Sequence, residues 1–240
     1  MTAASRGDRP IVSRETSSAP EAPPEAAVLL GTAAPTLAPL AALLAGPGVD
    51  RGLLGPRELP LLWHRHLLNC AVAVEGVPPG SAVVDVGSGA GLPGLVWALL
   101  RPDLAVTLVE PLLRRSDFLA EAVAALGLAP RVLVRRARAG DLHGEVTADV
   151  VTARAVAPLH RLVALCLPLL AAGGELRALK GRRAQDEVDV AGPALLRAGA
   201  RQVWVSAYGV GVLTPPTMVV HVSLADRVAA ATPPRRGGAP

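Results

Sequence analysis

Two hydrophobic rhythms divide the chain. Between residues 25 and 75, apolar positions recur at helical spacing in three runs, Ala26–Leu30, Leu37–Leu44 and Pro60–Glu75, with Gly-Pro punctuation at 46–48 and 55–56. From Ala82 onward, short apolar runs alternate with longer amphipathic segments. The runs near 82–86, 105–109, 131–135, 148–152, 175–179, 201–208 and 217–224 predict seven strands. The segments near 92–100, 112–126, 138–142, 156–170 and 184–198 predict helices, and Gly127 and Gly199 stand where helix C-caps belong. Strands separated by helices require an α/β fold with a doubly wound, mostly parallel sheet. The link 209–216 is too short for a parallel crossover, so the last two strands should form an antiparallel hairpin at one end.

This divides the chain into a tail over 1–24, a helical region over 25–75 packed on the core, a domain over 76–225, and a second tail over 226–240. Both tails are rich in Pro, Ala and charge and are expected to be disordered. Arg235 and Arg236 in the second could touch phosphate or simply be solvated. No secretory signal is evident at the N-terminus. No uninterrupted apolar stretch reaches the roughly 18 residues of a membrane span. Leu159 to Leu176 is broken by Arg161, Pro168 and Gly173-Gly174. A soluble, cytoplasmic protein, monomeric and away from membranes, is expected.

Composition changes this picture little. Apolar residues make up 51% of 240 and aromatics 2%, so the core must be built from Leu, Val and Ala. Nearly all cations are arginine, as a GC-rich genome would produce, and this leaves the net charge of +4 a weak pointer to nucleic acid. Cys70 and Cys166 lie far apart in apolar surroundings and read as reduced thiols. His143, His160 and His221 show no ligand spacing with Cys or carboxylates, so no metal site is predicted.

The chemistry concentrates in residues 83–94. An apolar strand runs through Asp85 into a loop in which Gly87, Gly89 and Gly91 allow backbone to approach a ligand before a helix begins. Glu110 follows at the end of the next strand, about 20 residues on, where a carboxylate can hold ribose hydroxyls. The loop admits any adenosine-bearing cofactor. Its Asp-Val-Gly-Ser-Gly-Ala-Gly spelling is more typical of S-adenosylmethionine-dependent methyltransferases than of dehydrogenases.

Around the loop, several blocks resemble one family. They are Leu62-Trp63-His64-Arg65-His66-Leu67-Leu68-Asn69-Cys70, Leu92-Pro93-Gly94, Arg101-Pro102-Asp103, and Leu108 through Arg115. Val151 through Leu159 and Ala178-Leu179-Lys180-Gly181 complete the set. The chain is similar over about residues 37 to 224 to the bacterial 16S ribosomal RNA (guanine-N7)-methyltransferases known as RsmG or GidB. The resemblance implies a Rossmann-like class I methyltransferase fold, S-adenosyl-L-methionine as cofactor, and 16S ribosomal RNA or the small ribosomal subunit as partner. By position it implies cofactor contacts from Gly87, Leu92, Ala139, Gly140 and Arg154, beside Asp85, Gly89 and Glu110. Gly140 stands where the family usually has glutamate; backbone contacts survive that change, and a side-chain hydrogen bond to adenine does not unless neighbouring Asp141 takes it over.

Arg154 and Lys180 each end a predicted strand, on the edge where open sheets keep their ligands. A guanidinium at 154 could hold a methionine carboxylate or an RNA phosphate. Lys180, the only lysine, would suit a phosphate or guanine edge. His66 and Asn69 lie three apart on one helix face, beside the cleft in the family reading or in a plain helix-to-sheet hydrogen bond. Arg114 and Arg115 lead the arginines at 114, 115, 131, 135, 136 and 138 as RNA-backbone candidates. Guanine N7 carries an exposed lone pair and needs no general base, so these are positioning residues rather than acid–base groups. A small-molecule methyltransferase and a non-catalytic nucleotide-binding module are the alternatives.

Overall fold

The computed structural model describes residues 19–224. Strands β1 (Ala82–Val86), β2 (Ala105–Val109), β3 (Val132–Arg135), β4 (Ala148–Arg154), β5 (Leu170–Lys180), β6 (Ala200–Tyr208) and β7 (Thr217–Leu224) form one sheet in the order β3-β2-β1-β4-β5-β7-β6. The first five are parallel, and β7 runs antiparallel between β5 and β6. Helices α4 (Gly94–Leu100), α5 (Leu113–Ala125), α6 (Leu159–Cys166) and α7 (Ala184–Arg197) fill the crossovers. All seven expected strands are present, with one displaced start. Leu170 pairs with Ala148, residues 171–174 loop out, and Glu175 then pairs with Val150, so β5 begins five residues early and the expected helix 156–170 stops at Cys166.

The N-terminal region is more irregular than its periodicity suggests. Helices α1 (Pro24–Leu30) and α2 (Ala38–Leu43) join into one helical run, Pro24–Gly48, tightened to 3₁₀ geometry over Gly31–Leu37 and widened to π geometry over Leu44–Gly48. Pro35 and Pro47 lie inside those two segments and donate no backbone N–H, which breaks the regular ladder without ending the helix. This corrects the expectation of separate short helices. By length and composition alone, the run is apolar enough to cross a membrane, at a mean hydropathy of 1.8. Here its inner face, Leu37, Leu40, Ala41 and Leu44, is at most 1% exposed and packs into the core. The expected helix 60–75 divides similarly, into 3₁₀ turns over Pro56–Leu61, π turns over Leu62–Leu68 and α3 (Asn69–Val72).

Alternating residues of each strand feed two cores. Val84, Val86, Val151, Ala153, Leu176, Ala178, Val220 and Val222 face α6 and α7. Val83, Val106, Leu108, Val150 and Val219 face α4, α5 and the N-terminal helices. Both faces are covered, which is why the strands read as unbroken apolar runs. Burying each fully enclosed leucine contributes about 1.5–3 kcal/mol. The second face also carries a buried polar row, Asp85, Thr152, Arg177 and His221. Arg177 donates to the Ala73 and Glu75 carbonyls just beyond α3, and Trp97 Nε1–H donates to Cys70 O at 2.9 Å. The helical region is therefore bolted to the sheet by polar contacts as well as by leucines.

The tails expected over 1–24 and 226–240, with Arg235 and Arg236, lie outside the described residues except for 19–24. There Ala19 packs against the core and the Pro20 carbonyl accepts a hydrogen bond from Trp63 Nε1 at 2.8 Å.

Candidate functional site

At the carboxyl end of β1 the chain turns sharply. Gly87 has φ +69°, and a Cβ on it would lie 2.6 Å from Val156 Cγ2. The loop is tied to the end of β2, where Gly87 N and Ser88 N both donate to Val109 O, and Gly89 N donates to Glu110 Oε2 at 3.0 Å. Glu110 Oε1 accepts from Leu112 N at 3.0 Å, so this buried carboxylate braces both the glycine loop and the turn into α5. Leu92 is 8% exposed behind the loop.

Below the loop, Asp85 is fully buried. Its Oδ2 accepts from Gly94 N at 3.0 Å, at the N-terminus of α4, while Oδ1 has no partner among the described residues. Burial pushes its carboxyl up to about 7. Gly94 is a packing requirement here: a Cβ would run into Leu108 Cδ2 and stand 2.7 Å from Asp85 Oδ2.

Arg154 ends β4 on the same sheet face, and both its terminal nitrogens are engaged. Nη1 donates to His66 O and Cys70 Sγ, and Nη2 donates to Arg65 O and His66 Nδ1 at 2.9 Å. Because Nδ1 accepts, Nε2–H is the donor in the 2.9 Å bond to Glu58 Oε2. Burial lowers the His66 pKa, and Arg154 adds to the effect, so the ring is neutral and shaped to hold the guanidinium. The expected open guanidinium is thus a clamp joining β4 to the helix. Asn69 sits one turn beyond His66 with its backbone carbonyl accepting from Thr217 Oγ1 at 3.1 Å.

Lys180, at the end of β5, is likewise engaged. Its Nζ donates to Ala157 O at 2.8 Å and to Glu187 Oε2 at 2.7 Å, and the same carboxylate oxygen accepts from Leu159 N. The side chain is 8% exposed. It holds the Ala155–Pro158 loop, in which Ala155 (φ +54°) is the one non-glycine residue with positive φ among those described. That loop leads from the glycine turn into an open cleft of about 1030 Å³. Asn69, Arg154, Lys180, Val156 and the hairpin residues Leu213–Pro216 line it, with Arg182, Arg183, His64 and His160 adding basic groups.

Ala139 is buried at the start of a short 3₁₀ turn, Ala139–Leu142, beyond β3. Gly140 is exposed, and nothing lies within 4 Å of where a Cβ would stand, so a longer side chain would fit there. Asp141 Oδ2 accepts from the Arg138 amide at 3.2 Å and so caps its own turn. Of the arginine candidates, Arg115 lies 4.0 Å from Glu110 and Arg135 pairs with Glu145, whereas Arg136 is exposed. Glu58 and Glu187 complete the constellation and lie outside every block that the sequence singled out. Only their packing places them. Among the described residues, no group of three or more His, Cys, Asp or Glu is placed to hold a metal ion.

Comparison with known proteins places this arrangement. The family model described as rRNA small subunit methyltransferase G (GidB) matches residues 34–210. The ribosomal RNA small subunit methyltransferase G of Salinispora tropica is 51% identical over 220 residues, covering 89% of this chain and 91% of that one. The protein of the same name from Thermobifida fusca is 53% identical over 196 residues, 82% of each chain. Among solved structures, a methyltransferase of Pyrococcus furiosus superposes with a TM-score of 0.52 at 15% identity, covering 64% of this chain and 80% of that one. An O-methyltransferase family protein of Burkholderia thailandensis gives 0.52 at 15%, covering 82% and 64%. These two bear on the fold alone.

Proposed function

Because the chain belongs to the rRNA small subunit methyltransferase G family, we propose that it methylates N7 of a guanine in 16S ribosomal RNA by direct in-line transfer. It is an S-adenosylmethionine-dependent methyltransferase of small-subunit ribosomal RNA. The observation that carries the finer reading is the adjacency of two spaces. The glycine crevice and the basic cleft meet at Val156, which lines the cleft and stands against Gly87.

The residues on the crevice side fit the cofactor. The buried, unpaired Asp85 Oδ1 is suited to an ammonium, and Glu110 to ribose hydroxyls that join the backbone amides it already accepts. Gly87 and Gly89 leave backbone open to the ligand, and Leu92, Ala139 and Gly140 would border the adenosyl portion. Arg154 serves this site as an organiser, fixing His66 and the helix that walls the cleft. When bound, S-adenosylmethionine supplies an electrophilic methyl group. This chain's part is positional: hold the base so that N7 lies in line, and exclude other geometries. Positioning of this kind is worth several kcal/mol, about 7–11 in favourable cases. No side chain need take a proton, in keeping with a site whose His66 and Lys180 are committed to structural partners.

On the cleft side, Arg182 is exposed and makes no ion pair among the described residues, and Arg183, His64 and His160 stand near it. The guanidiniums of Arg182 and Arg183, the latter paired with Asp186, suit phosphates flanking the target nucleotide. A small-metabolite enzyme would want an enclosed pocket; this cleft is open, and neither Trp, Tyr nor Phe lines it. Action on ribosomal RNA carries with it a cytoplasmic setting, and we assign a monomer. The test is to incubate the protein with methyl-labelled S-adenosylmethionine and 30S particles or 16S RNA, then map the label by borohydride reduction and aniline cleavage at N7-methylguanosine. Label at one guanine is expected. Label absent from the RNA, or cleavage-resistant, would refute the assignment.

A further inference from the structure

Four half-buried polar side chains line the cleft: Asn69, Arg154, Lys180 and Glu187. Three hold hydrogen bonds with neighbouring groups or with each other. Asn69 alone makes no side-chain hydrogen bond among the described residues. Its backbone carbonyl is pinned by Thr217 and its neighbour Cys70 by Arg154, which keeps residue 69 in the cleft wall. An amide set in the cleft wall, partly out of water and with both donor and acceptor unused, is poised for a ligand that offers both.

The surroundings restrict what that ligand can be. Leu61, Val156 and Pro215 give the cleft apolar flanks, and Leu61 and Val156 are 44% and 39% exposed. Such flanks suit the faces of an extruded base, and the cations at the mouth suit its phosphates. The volume, about 1030 Å³, lies at the upper end for small-molecule sites and leaves room for the attached ribose and a neighbour. Reaction at N7 requires that N7 stay bare, which leaves the opposite, Watson–Crick edge for the protein. There, guanine presents the N1–H donor beside the O6 acceptor, at the spacing of a side-chain amide.

We propose that Asn69 grips the target base in this cleft, Oδ1 accepting from guanine N1–H and Nδ2 donating to O6, with N7 left free toward the glycine crevice. This rests on the reading of the site as a ribosomal RNA methyltransferase. The pairing fixes both the position and the rotation of the ring, and so acts on binding and on turnover together.

Three variants test it: Asn69→Ala, Asn69→Leu, which keeps the volume, and Asn69→Asp, whose carboxylate can accept from N1–H and N2–H. For Ala and Leu, kcat/KM toward the RNA should fall at least tenfold, while the Kd of S-adenosylmethionine and the melting temperature stay unchanged. Asp keeps acceptance from N1–H but cannot donate to O6, and should recover part of the loss, in KM more than in kcat. An RNA carrying 7-deazaguanosine at the target keeps the same edge but has no N7, and should inhibit the wild type at least tenfold better than Asn69→Ala. Wild-type kcat/KM in Asn69→Ala would overturn the proposal, as would equal impairment of Asp and Leu, or equal inhibition of both proteins by the deaza RNA. If the wild type itself labels no guanine, the functional reading fails instead.

Discussion

Asp85→Asn should make the protein more stable at pH 8 and should do so in a pH-dependent way. The wild-type carboxyl is buried with one oxygen unpartnered and titrates at about 7 instead of the ordinary 3.8. A folded-state pKa above the unfolded value means that the native state holds the proton more tightly. The associated stability is therefore complete below about pH 4 and is lost as pH rises through 7. The full loss is about 4 kcal/mol, from three pK units at 1.36 kcal/mol each. Roughly 1.5–2 kcal/mol of it has gone by pH 5, and about 2–3 kcal/mol more goes between pH 5 and 8. Asparagine cannot ionise, so the difference in stability between variant and wild type should widen by about 2–3 kcal/mol over that interval. At about 2–4 °C per kcal/mol for a chain of this size, the melting temperatures should diverge by about 4–12 °C. Thermal unfolding of both proteins in matched buffers from pH 5 to 8 reads this directly, because other titrating groups cancel in the difference. A gap that stays constant across that range would show that Asp85 ionises normally and that its environment has been misjudged. The same variant should bind S-adenosylmethionine more weakly, since it lacks the charge for the cofactor's ammonium.

Three further outcomes follow from packing. Gly94→Ala drives a methyl group into Leu108 and Asp85 and should cost about 1–3 kcal/mol, read as a lowered melting temperature; an unchanged value would mean that α4 can slide away from the sheet. Lys180→Met releases the Ala155–Pro158 loop from β5 and leaves Glu187 holding only Leu159 N, so kcat/KM toward RNA should fall at least tenfold with the circular dichroism spectrum retained; full activity would remove the loop from the machinery. A fragment of residues 76–225 should fail to give a cooperative thermal transition, because it loses the leucine face and the carbonyl partners of Arg154 and Arg177; a sharp transition would establish it as an independent domain.

The sheet was legible because its signals are local. Val83, Val84 and Val86 before three glycines announce a strand and a tight loop within a dozen residues, and the seven strands follow the same short-range logic. The departures lie where a longer-range contact overrides local preference. Leu170 joins β5 only because Ala148 is there to pair with it, and the short helices before residue 50 fuse because the run takes up Pro35 and Pro47 in 3₁₀ and π turns while its leucine face packs into the core.

The same division explains the site. Sequence position correctly put Arg154 and Lys180 at strand ends, but a side chain's availability depends on what reaches it from elsewhere. Arg154 is satisfied by groups 84 to 89 residues away, and Lys180 by residues on two other elements. Each cation that looked free for a ligand is committed to holding a wall in place. Asn69 shows the converse. Its sequence position left it either beside the cleft or in a helix-to-sheet hydrogen bond; the residue lines the cleft, and only its backbone makes the sheet contact. The polar row on one sheet face gives the reason for this exchange of roles. Arg177 in that row, and Arg154 at the end of β4, need acceptors that apolar helices cannot supply, and the N-terminal region presents the carbonyls of Arg65, His66, Ala73 and Glu75 to them. Supplying those partners fixes the helix in one orientation, and that orientation leaves a single amide facing the cleft. The cost of burying polar groups in the sheet is what sets that wall of the cleft.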